Sequence, residues 1–384
     1  MILESRYPSP GGGGAEAQVS TLALGLRARG HRVTVLTPFG RQETRRPIDR
    51  VDGIPVCRLR YPQVPLLGSL ILWLRLAHFL WTHRERYDAW HVHIAHYMGA
   101  VASVLGGWLR HPVILKVSGW WELEKGVLSG PASLSQRIAF SCMRHASAWQ
   151  AISSRIAAAL VAKGVPVTSI VAIPNAVDTS RFQRRHDPVP VAGRRFVFVG
   201  RLVPEKGLDT LLHAFAAASA ADQSATLQVV GSGPLAEPLA NIAQSLGIAD
   251  RVEFSGHRDD VVAALCGADI GVLPSRIEGL SNTLLECMSS GMPVVATRIS
   301  GNEDFVRPGE NGWLCEAGDQ HGLAACLASA MLLAPDELAA MGERARRCVA
   351  QQAGLDVVLD QLLKLYRQVP VPAIAAVTVT GESA

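Results

Sequence analysis

The chain has 384 residues, of which 48% are hydrophobic and 18% charged, and its formal net charge is +4 at pH 7. This composition is typical of a folded globular protein with room for two domains and excludes a disordered chain. Its seven scattered cysteines form no C-x-x-C motif, which argues against a disulfide framework or a zinc site and favours a reducing cytosol. The opening Met-Ile-Leu-Glu has no basic lead, so no signal peptide is expected.

The charge is unevenly distributed along the chain. Residues 1–185 carry a net charge of +13, and residues 186–384 carry −9. A basic half and an acidic half support two separate domains. The basic half could face an anionic acceptor or a membrane surface, or it could be an uneven surface without a partner. No nucleic-acid partner is expected.

Strands alternate with helices along the chain, which indicates a doubly wound α/β architecture. A short strand at residues 2–3 precedes the glycine run 11–14 and a helix over 15–28. Ser153 is predicted to cap a helix that ends near Ala162. Further strands are predicted at residues 32–36, 54–60, 91–94, 113–117 and 148–152.

The glycine run Gly11, Gly12, Gly13 and Gly14 connects a strand to a helix without side chains in the way. A backbone of this kind can approach an acceptor or a diphosphate closely. No Gly-Lys-Ser/Thr follows, so the run is not a P-loop. The alternative is a simple glycine turn.

Residues 66–81 are unusually apolar but are shorter than the roughly 20 residues that a spanning helix needs, and they include Arg75. A buried or partly buried helix is therefore predicted. Because many arginines surround this segment, it could also rest on an anionic bilayer.

The second half repeats the α/β pattern. A polar linker is predicted at residues 184–194, helices over 335–367 and a flexible tail at 369–384. Strands are predicted at residues 195–199, 226–230, 252–254, 270–273 and 293–296.

Two cations follow the first of these strands. Arg201 and Lys206 bracket a short loop ahead of a helix. Such a pair at a strand end can hold a departing diphosphate, with Arg as a fork and Lys as a point charge. The alternative is two solvated side chains near a turn.

A dinucleotide-binding motif competes with this interpretation. Gly231-Ser-Gly233-Pro-Leu-Ala236 follows a strand and opens a helix, and Glu253 lies about 20 residues further on. Taken alone it suggests an NAD-dependent enzyme, but that function leaves the two cations unexplained.

Two glutamates flank a predicted helix start. Glu278 precedes Gly279-Leu280-Ser281-Asn282-Thr283, and Glu286 lies in the helix that ends at Gly291. Ser281 or Asn282 can cap this helix, whose N-terminus suits a phosphate. The glutamates could then accept hydrogen bonds from hydroxyls on either side of that phosphate, a sugar on one side and a ribose on the other.

These segments resemble family 4 retaining glycosyltransferases of the GT-B fold. The resemblance also covers Ile173-Pro174-Asn175, Phe254-Ser-Gly256-His257 and Gly309-Glu-Asn-Gly312, so it extends over nearly all of the C-terminal half and more loosely over the N-terminal half. It implies two Rossmann-like domains facing a cleft, with the last helix, about residues 352–368, crossing back onto the N-terminal domain.

The resemblance further implies a role for each site residue. Glu278 contacts the donor sugar and Glu286 the ribose, while Arg201 and Lys206 neutralise the diphosphate, so no metal or other cofactor is expected. The base is expected near His257 and Arg258, and the loop with Gly231 and Gly233 is expected as a tight turn beside the donor nucleotide. The cleft or acceptor side is expected to include the following residues: Gly12, Gly13, Gly14, Glu16, His93, Ser118 and Trp120.

The chain departs from the family at position 118, where Ser118 replaces the usual histidine. The expected function is transfer of a sugar from a UDP- or GDP-sugar to a glycan or lipid-linked acceptor, in the cytoplasm or at the inner face of the membrane. The alternatives are a nucleotide-sugar epimerase or hydrolase, and a degenerate protein that only binds nucleotide sugar.

Overall fold

The computed structural model describes residues 1–8, 13–39, 46–129, 133–182, 193–220, 222–258 and 260–369. They form two α/β domains with a cleft between them. The strands and helices of the N-terminal domain are β1 Val35–Phe39, β2 Ile48–Val51, β3 Ile54–Arg60, β4 Trp90–Val92, β5 Val113–Val117, β6 Ala148–Ala151, β7 Ile170–Ala172, α1 Gly14–Ala28, α2 Leu67–Thr82, α3 Tyr97–Leu109, α4 Trp120–Glu124, α5 Leu134–Met143 and α6 Ser154–Ala162. The elements that follow are β8 Arg195–Val199, β9 Thr226–Val230, β10 Val252–Gly256, β11 Ile270–Leu273, β12 Val294–Thr297, β13 Gly312–Cys315, α7 Leu208–Ala218, α8 Ala236–Ser245, α9 Val262–Cys266, α10 Asn282–Ser289, α11 Asn302–Phe305, α12 Gln320–Leu332, α13 Pro335–Ala353 and α14 Leu355–Gln368.

The N-terminal domain consists of two sets of strands joined by the start of the chain. β4, β5, β6 and β7 pair in that order and are parallel, while β1 pairs with β3. Ile2 forms parallel bridges to Leu36 and to Val92, and so connects the two sets. β5 is fully buried. Helices are needed to cover both faces of such a parallel sheet.

Two differences from the predicted strands have a local cause. β1 begins three residues later than predicted, because its pairing with β3 starts where Val35 meets Val56. β2 is absent from the predictions because its residues are exposed or half-buried and give no apolar run. It pairs antiparallel with β3 through a turn in which Asp52 and Gly53 both have positive φ.

The C-terminal domain has a parallel sheet in the order β10-β9-β8-β11-β12-β13. Phe196 and Ile270 on this sheet pack with Phe215 of α7 in a buried core. The predicted strands at residues 195–199, 226–230 and 270–273 match β8, β9 and β11. The carboxyl ends of these strands border the cleft, which is where open α/β sheets bind ligands.

The last helix packs against the first. Arg29, the residue that follows α1, forms ion pairs at 2.6 Å with Asp356 and with Asp360 of α14. An added Cβ on Gly25 would lie 2.8 Å from Leu359, so the helices approach closely at this glycine. α14 therefore returns the chain to the N-terminal domain.

Residues 184–192 of the predicted linker and 370–384 of the predicted tail lie outside the described residues. No single helix in the described part of the chain is long and apolar enough to cross a bilayer, although α12 and α13, bent by 116°, meet the criteria of length and composition as a pair.

Candidate functional site

The cleft between the domains has a volume of about 810 Å³. Its N-terminal wall is formed by the loop before α1 and by the turn after β5. Its C-terminal wall is formed by the loops that follow β8, β9 and β11. The predicted site residues that line it are Gly13, Gly14, Ser118, Trp120, Arg201, Lys206, Gly231, His257, Arg258, Glu278, Gly279, Leu280, Ser281, Asn282, Thr283 and Glu286.

Lys206 and Glu278 meet in this cleft from two different loops. The Lys206 ammonium donates a hydrogen bond to Glu278 Oε1, which also accepts one from the Ser275 hydroxyl at 3.2 Å. Both side chains of the pair are largely shielded, with 18% and 16% of their surfaces exposed. An ammonium has three N–H donors, so the pair leaves up to two for a ligand.

The N-terminus of α10 adjoins this pair. Ser281 occupies the N-cap position, but no side chain caps the helix, so the prediction of a Ser281 or Asn282 side-chain cap was wrong. The Asn282 side chain instead contacts the N-terminal domain, donating to Gly14 O at 3.1 Å and accepting from Asn175 at 3.0 Å. The uncapped first turn keeps backbone N–H groups for an anion.

Glu286 lies one turn into α10 and is half-buried. Burial raises the pKa of its carboxyl to about 7, and the positive charge of Arg181 opposes this shift. A carboxyl that titrates near neutral pH can accept hydrogen bonds from vicinal hydroxyls when it is ionised.

The two domains touch beside Glu278. An added Cβ on Gly279 would lie 2.9 Å from Gly119 Cα and 3.0 Å from Ser118 O, so only glycine permits this approach. Gly279 O also accepts a hydrogen bond from the Ser300 hydroxyl at 3.0 Å. The turn after β5 is thereby held next to the loop that carries the carboxylate.

This turn is held by Glu122. Glu122 is fully buried, and its carboxylate accepts backbone hydrogen bonds from Ala95 at 2.8 Å, Ser118 at 2.6 Å and Gly119 at 2.8 Å. Burial nevertheless raises its pKa to about 8. The Ser118 hydroxyl donates to His93 O. Glu122 therefore positions the cleft wall and does not reach the cleft.

Three other residues predicted at the cleft do not line it. His93 is fully buried in the N-terminal domain. Glu16 accepts a hydrogen bond from the Ser5 hydroxyl, and Gly233 packs under the backbone of Leu202. The prediction for Gly12 lies outside the described residues.

The dinucleotide motif has another role in this fold. Gly231 has φ of +146°, and an added Cβ would overlap the carbonyl oxygen of Gly200. Glu253 is exposed, accepts a hydrogen bond from Ser255 at 2.5 Å, and lines a separate pocket. The glycine thus packs two loops together, and the acidic residue is not at the cleft.

Lys116 was missed by the sequence analysis. It lies on β5, is 1% exposed and borders the cleft, and its ammonium has no hydrogen-bond partner among the described residues. Burial lowers its pKa to about 7. Its position in an apolar strand was the available signal, because a lysine is rarely fully buried without a partner.

We expect Lys116→Met to stabilise the protein most at pH 7 and below. Between pH 7 and 10.5 the unfolded lysine holds a proton that the folded one lacks, so wild-type stability rises with pH. The slope from this group is at most about 1.4 kcal/mol per pH unit. Thermal unfolding from pH 6 to 10 should show the advantage of Lys116→Met shrinking with pH. An advantage that is constant across this range would contradict the assignment.

Comparisons with known proteins agree with this architecture. A family model described as Glycosyltransferase Family 4 matches residues 12–181, and one described as Glycosyl transferases group 1 matches residues 193–332. The N-acetyl-alpha-D-glucosaminyl L-malate synthase of Bacillus anthracis is 28% identical over 374 residues, which cover 94% of this chain and 95% of that relative.

Other relatives match over a shorter length. The lipopolysaccharide core biosynthesis glycosyltransferase LpsE of Rhizobium meliloti is 33% identical over 173 residues, 45% of this chain, and the chain spans 49% of that relative. A crystal structure of Anabaena Alr3699/HepE in complex with UDP superposes with a TM-score of 0.76 at 21% identity, over 95% of this chain and 98% of that one. The predicted GT-B fold is confirmed.

Proposed function

Because this chain belongs to glycosyltransferase family 4, we propose that it transfers a sugar from a UDP- or GDP-sugar to a glycan or lipid-linked acceptor and retains the anomeric configuration. The observation that carries the proposal is the Lys206–Glu278 pair beside the uncapped N-terminus of α10. A cation, a carboxylate and free N–H groups within one cleft fit a diphosphate that is joined to a hydroxyl-rich sugar.

The donor is assigned to the C-terminal wall. Lys206, Arg201 and the first-turn amides of α10 bind the diphosphate, and Glu286 accepts hydrogen bonds from the ribose hydroxyls. Glu278 receives hydroxyls of the transferred sugar, and the base lies beside His257 and Arg258. The HepE crystal structure, which shares this fold, is a complex with UDP, and this supports a nucleotide as a ligand of the present chain.

Transfer proceeds by front-side substitution. The bond between the anomeric carbon and the leaving phosphate oxygen breaks, the acceptor oxygen bonds to that carbon on the same face, and the leaving phosphate takes the acceptor proton. Glu278 is bound to Lys206 and so is not placed as a nucleophile. The cations stabilise the developing charge on the diphosphate, and no metal cofactor is part of the proposal.

A donor panel tests this proposal. The protein is incubated with UDP-, GDP- and ADP-sugars and with lipid and glycan acceptors, and release of nucleoside diphosphate is measured together with the anomeric configuration of the product by NMR. Acceptor-dependent release with retention is expected for one base. Release without any acceptor would favour a hydrolase, and an inverted product would contradict the mechanism.

The proposal includes a membrane surface on the N-terminal domain. α2 packs on α3, and α3 on α5, with the rings of Trp81 and Trp108 5.0 Å apart. These three helices and their ends expose a set of large apolar side chains, which together are called the apolar face: Leu66, Leu67, Leu70, Leu74, Trp81, Val104, Trp108, Leu134 and Ile138. Exposed arginines at positions 75, 110 and 137 lie on or next to the same helices. Apolar and basic groups together suit an anionic bilayer.

We expect the protein to pellet with vesicles that contain anionic lipid, and Trp108→Glu to reduce binding about tenfold. The glutamate removes apolar contact area and adds repulsion from the lipid headgroups. Leu332→Glu is the matched control, because Leu332 is 86% exposed on the C-terminal domain. Equal pelleting of both variants would show that the apolar face is not the membrane contact.

A further inference from the structure

A row of three polar side chains crosses the N-terminal sheet below the cleft. Lys116 on β5 pairs in register with Gln150 on β6, and His93 directly follows β4 on the other side of β5. His93 and Gln150 are fully buried, and Lys116 is 1% exposed. Buried His91 of β4 stacks on His93 with ring centroids 4.4 Å apart, and most other residues of these strands are apolar, so the row belongs to a polar layer inside a hydrophobic domain.

Most of the polar atoms in this row lack a partner. Among the described residues, the Lys116 ammonium, both ring nitrogens of His93 and Gln150 Oε1 form no hydrogen bond. Buried polar groups are nearly always paired, and an unpaired cation is the most costly of them. Gln18 of α1, which also lines the cleft, is engaged with Ala176 through bonds of 2.8 Å at each end of its amide.

Lys116 is the member of the row that lies at the cleft. It borders the cleft, whereas His93 and Gln150 do not. On the same wall lie the loop before α1 and Trp120, whose ring can cover a sugar face. The buried carboxyl of Glu122 acts on Lys116 through its charge, but its hydrogen bonds go to three backbone N–H groups. The incomplete coordination of the buried ammonium at the cleft wall therefore points to an anionic group supplied by the substrate.

We infer that Lys116 binds a carboxylate on the acceptor, which makes the acceptor an acidic sugar. This inference rests on the proposed transferase function. One ammonium neutralises one charge, and the other cation on the N-terminal wall of the cleft, Lys125, is exposed. A phosphate dianion would call for more donors or an arginine fork.

The position of Lys116 favours the acceptor over the donor. The diphosphate-binding elements all lie on the C-terminal wall, whereas Lys116 lies on the opposite domain. It precedes Ser118 by two residues, and Ser118 O lies near Gly279, next to Glu278. An acceptor carboxylate held by Lys116 would thus leave a neighbouring hydroxyl close to the transferred sugar.

Matched acidic and neutral sugars test the inference. With UDP at saturation, binding of glucuronate and galacturonate is compared with binding of glucose and galactose by ligand-observed NMR. Wild type is expected to bind at least one acid about tenfold or more tightly than its neutral partner. Lys116→Met should lose this preference and keep its affinity for UDP, while Lys125→Met should keep both.

Each outcome has a separate meaning. Normal UDP binding without an acid preference, or a preference that survives in Lys116→Met, overturns the subsite and leaves the proposed function standing. In a parallel titration without UDP, tighter binding of UDP-glucuronate than of UDP-glucose, with no preference among the free sugars, would assign the carboxylate to the donor and overturn the acceptor assignment. Failure of wild type to bind UDP, GDP or ADP contradicts the proposed function and the inference together.

Discussion

Lys206→Met is expected to lower turnover by about 10²–10³-fold while the protein stays folded. Lys206 supplies a preorganised charge in a shielded cleft, and loss of one such donor typically costs a few kcal/mol in the barrier. Its side chain is 18% exposed and has no role in the core, so its removal leaves the sheet intact. The rate of nucleoside diphosphate release at saturating donor measures the effect.

The partner carboxylate provides a sharper version of this test. Glu278→Gln keeps the shape of the side chain and removes the charge that meets Lys206. Because the two groups form one unit, the double variant should lose less than the product of the single losses. Lys163→Met is the control. Lys163 lies at the C-terminal end of α6 in the N-terminal domain, so this variant should keep the wild-type rate. Wild-type turnover in Lys206→Met would remove the basis of the site.

Gly231→Ala is expected to destabilise the C-terminal domain by several kcal/mol and to abolish nucleotide binding. Its Cβ would overlap Gly200 O, and the φ of +146° is strained for any L side chain. Relief would require β8 and β9 to separate at the ends that border the cleft. Thermal unfolding and a UDP titration measure the two effects.

Gly247→Ala separates the clash from the backbone strain. Gly247 also has a positive φ, of 67°, but an added Cβ meets no atom within 4 Å. This variant should therefore lose only about 1–2 kcal/mol and bind nucleotide normally. If both variants were equally stable, close packing of the loops after β8 and β9 would not be what requires glycine at position 231.

The sequence predicted those parts of the fold and site that depend on local patterns. Apolar runs such as residues 113–117 and 195–199 match β5 and β8, since a strand buried on both faces has no other local signature. Arg201, Lys206 and Glu278 were expected in one site because the segments that carry them resemble the donor site of family 4 glycosyltransferases. The structure places all three at the cleft.

The features that were missed depend on contacts between distant segments. The Asn282 side chain contacts Gly14, 268 residues away, so its departure from the helix cap has no local signal. The three backbone N–H groups that donate hydrogen bonds to the Glu122 carboxylate come from two different loops. Among the described residues the Lys116 ammonium has no hydrogen-bond partner because of the residues that flank β5, and the sequence of the strand alone does not reveal those neighbours.

The most direct test of the account is a crystal structure of the protein with UDP or GDP bound. The diphosphate is expected within hydrogen-bonding distance of Lys206 and the first-turn amides of α10, with the ribose hydroxyls on Glu286. A nucleotide bound instead at residues 231–236 with its ribose on Glu253, or a cleft that stays empty at saturating concentrations of both, would contradict it.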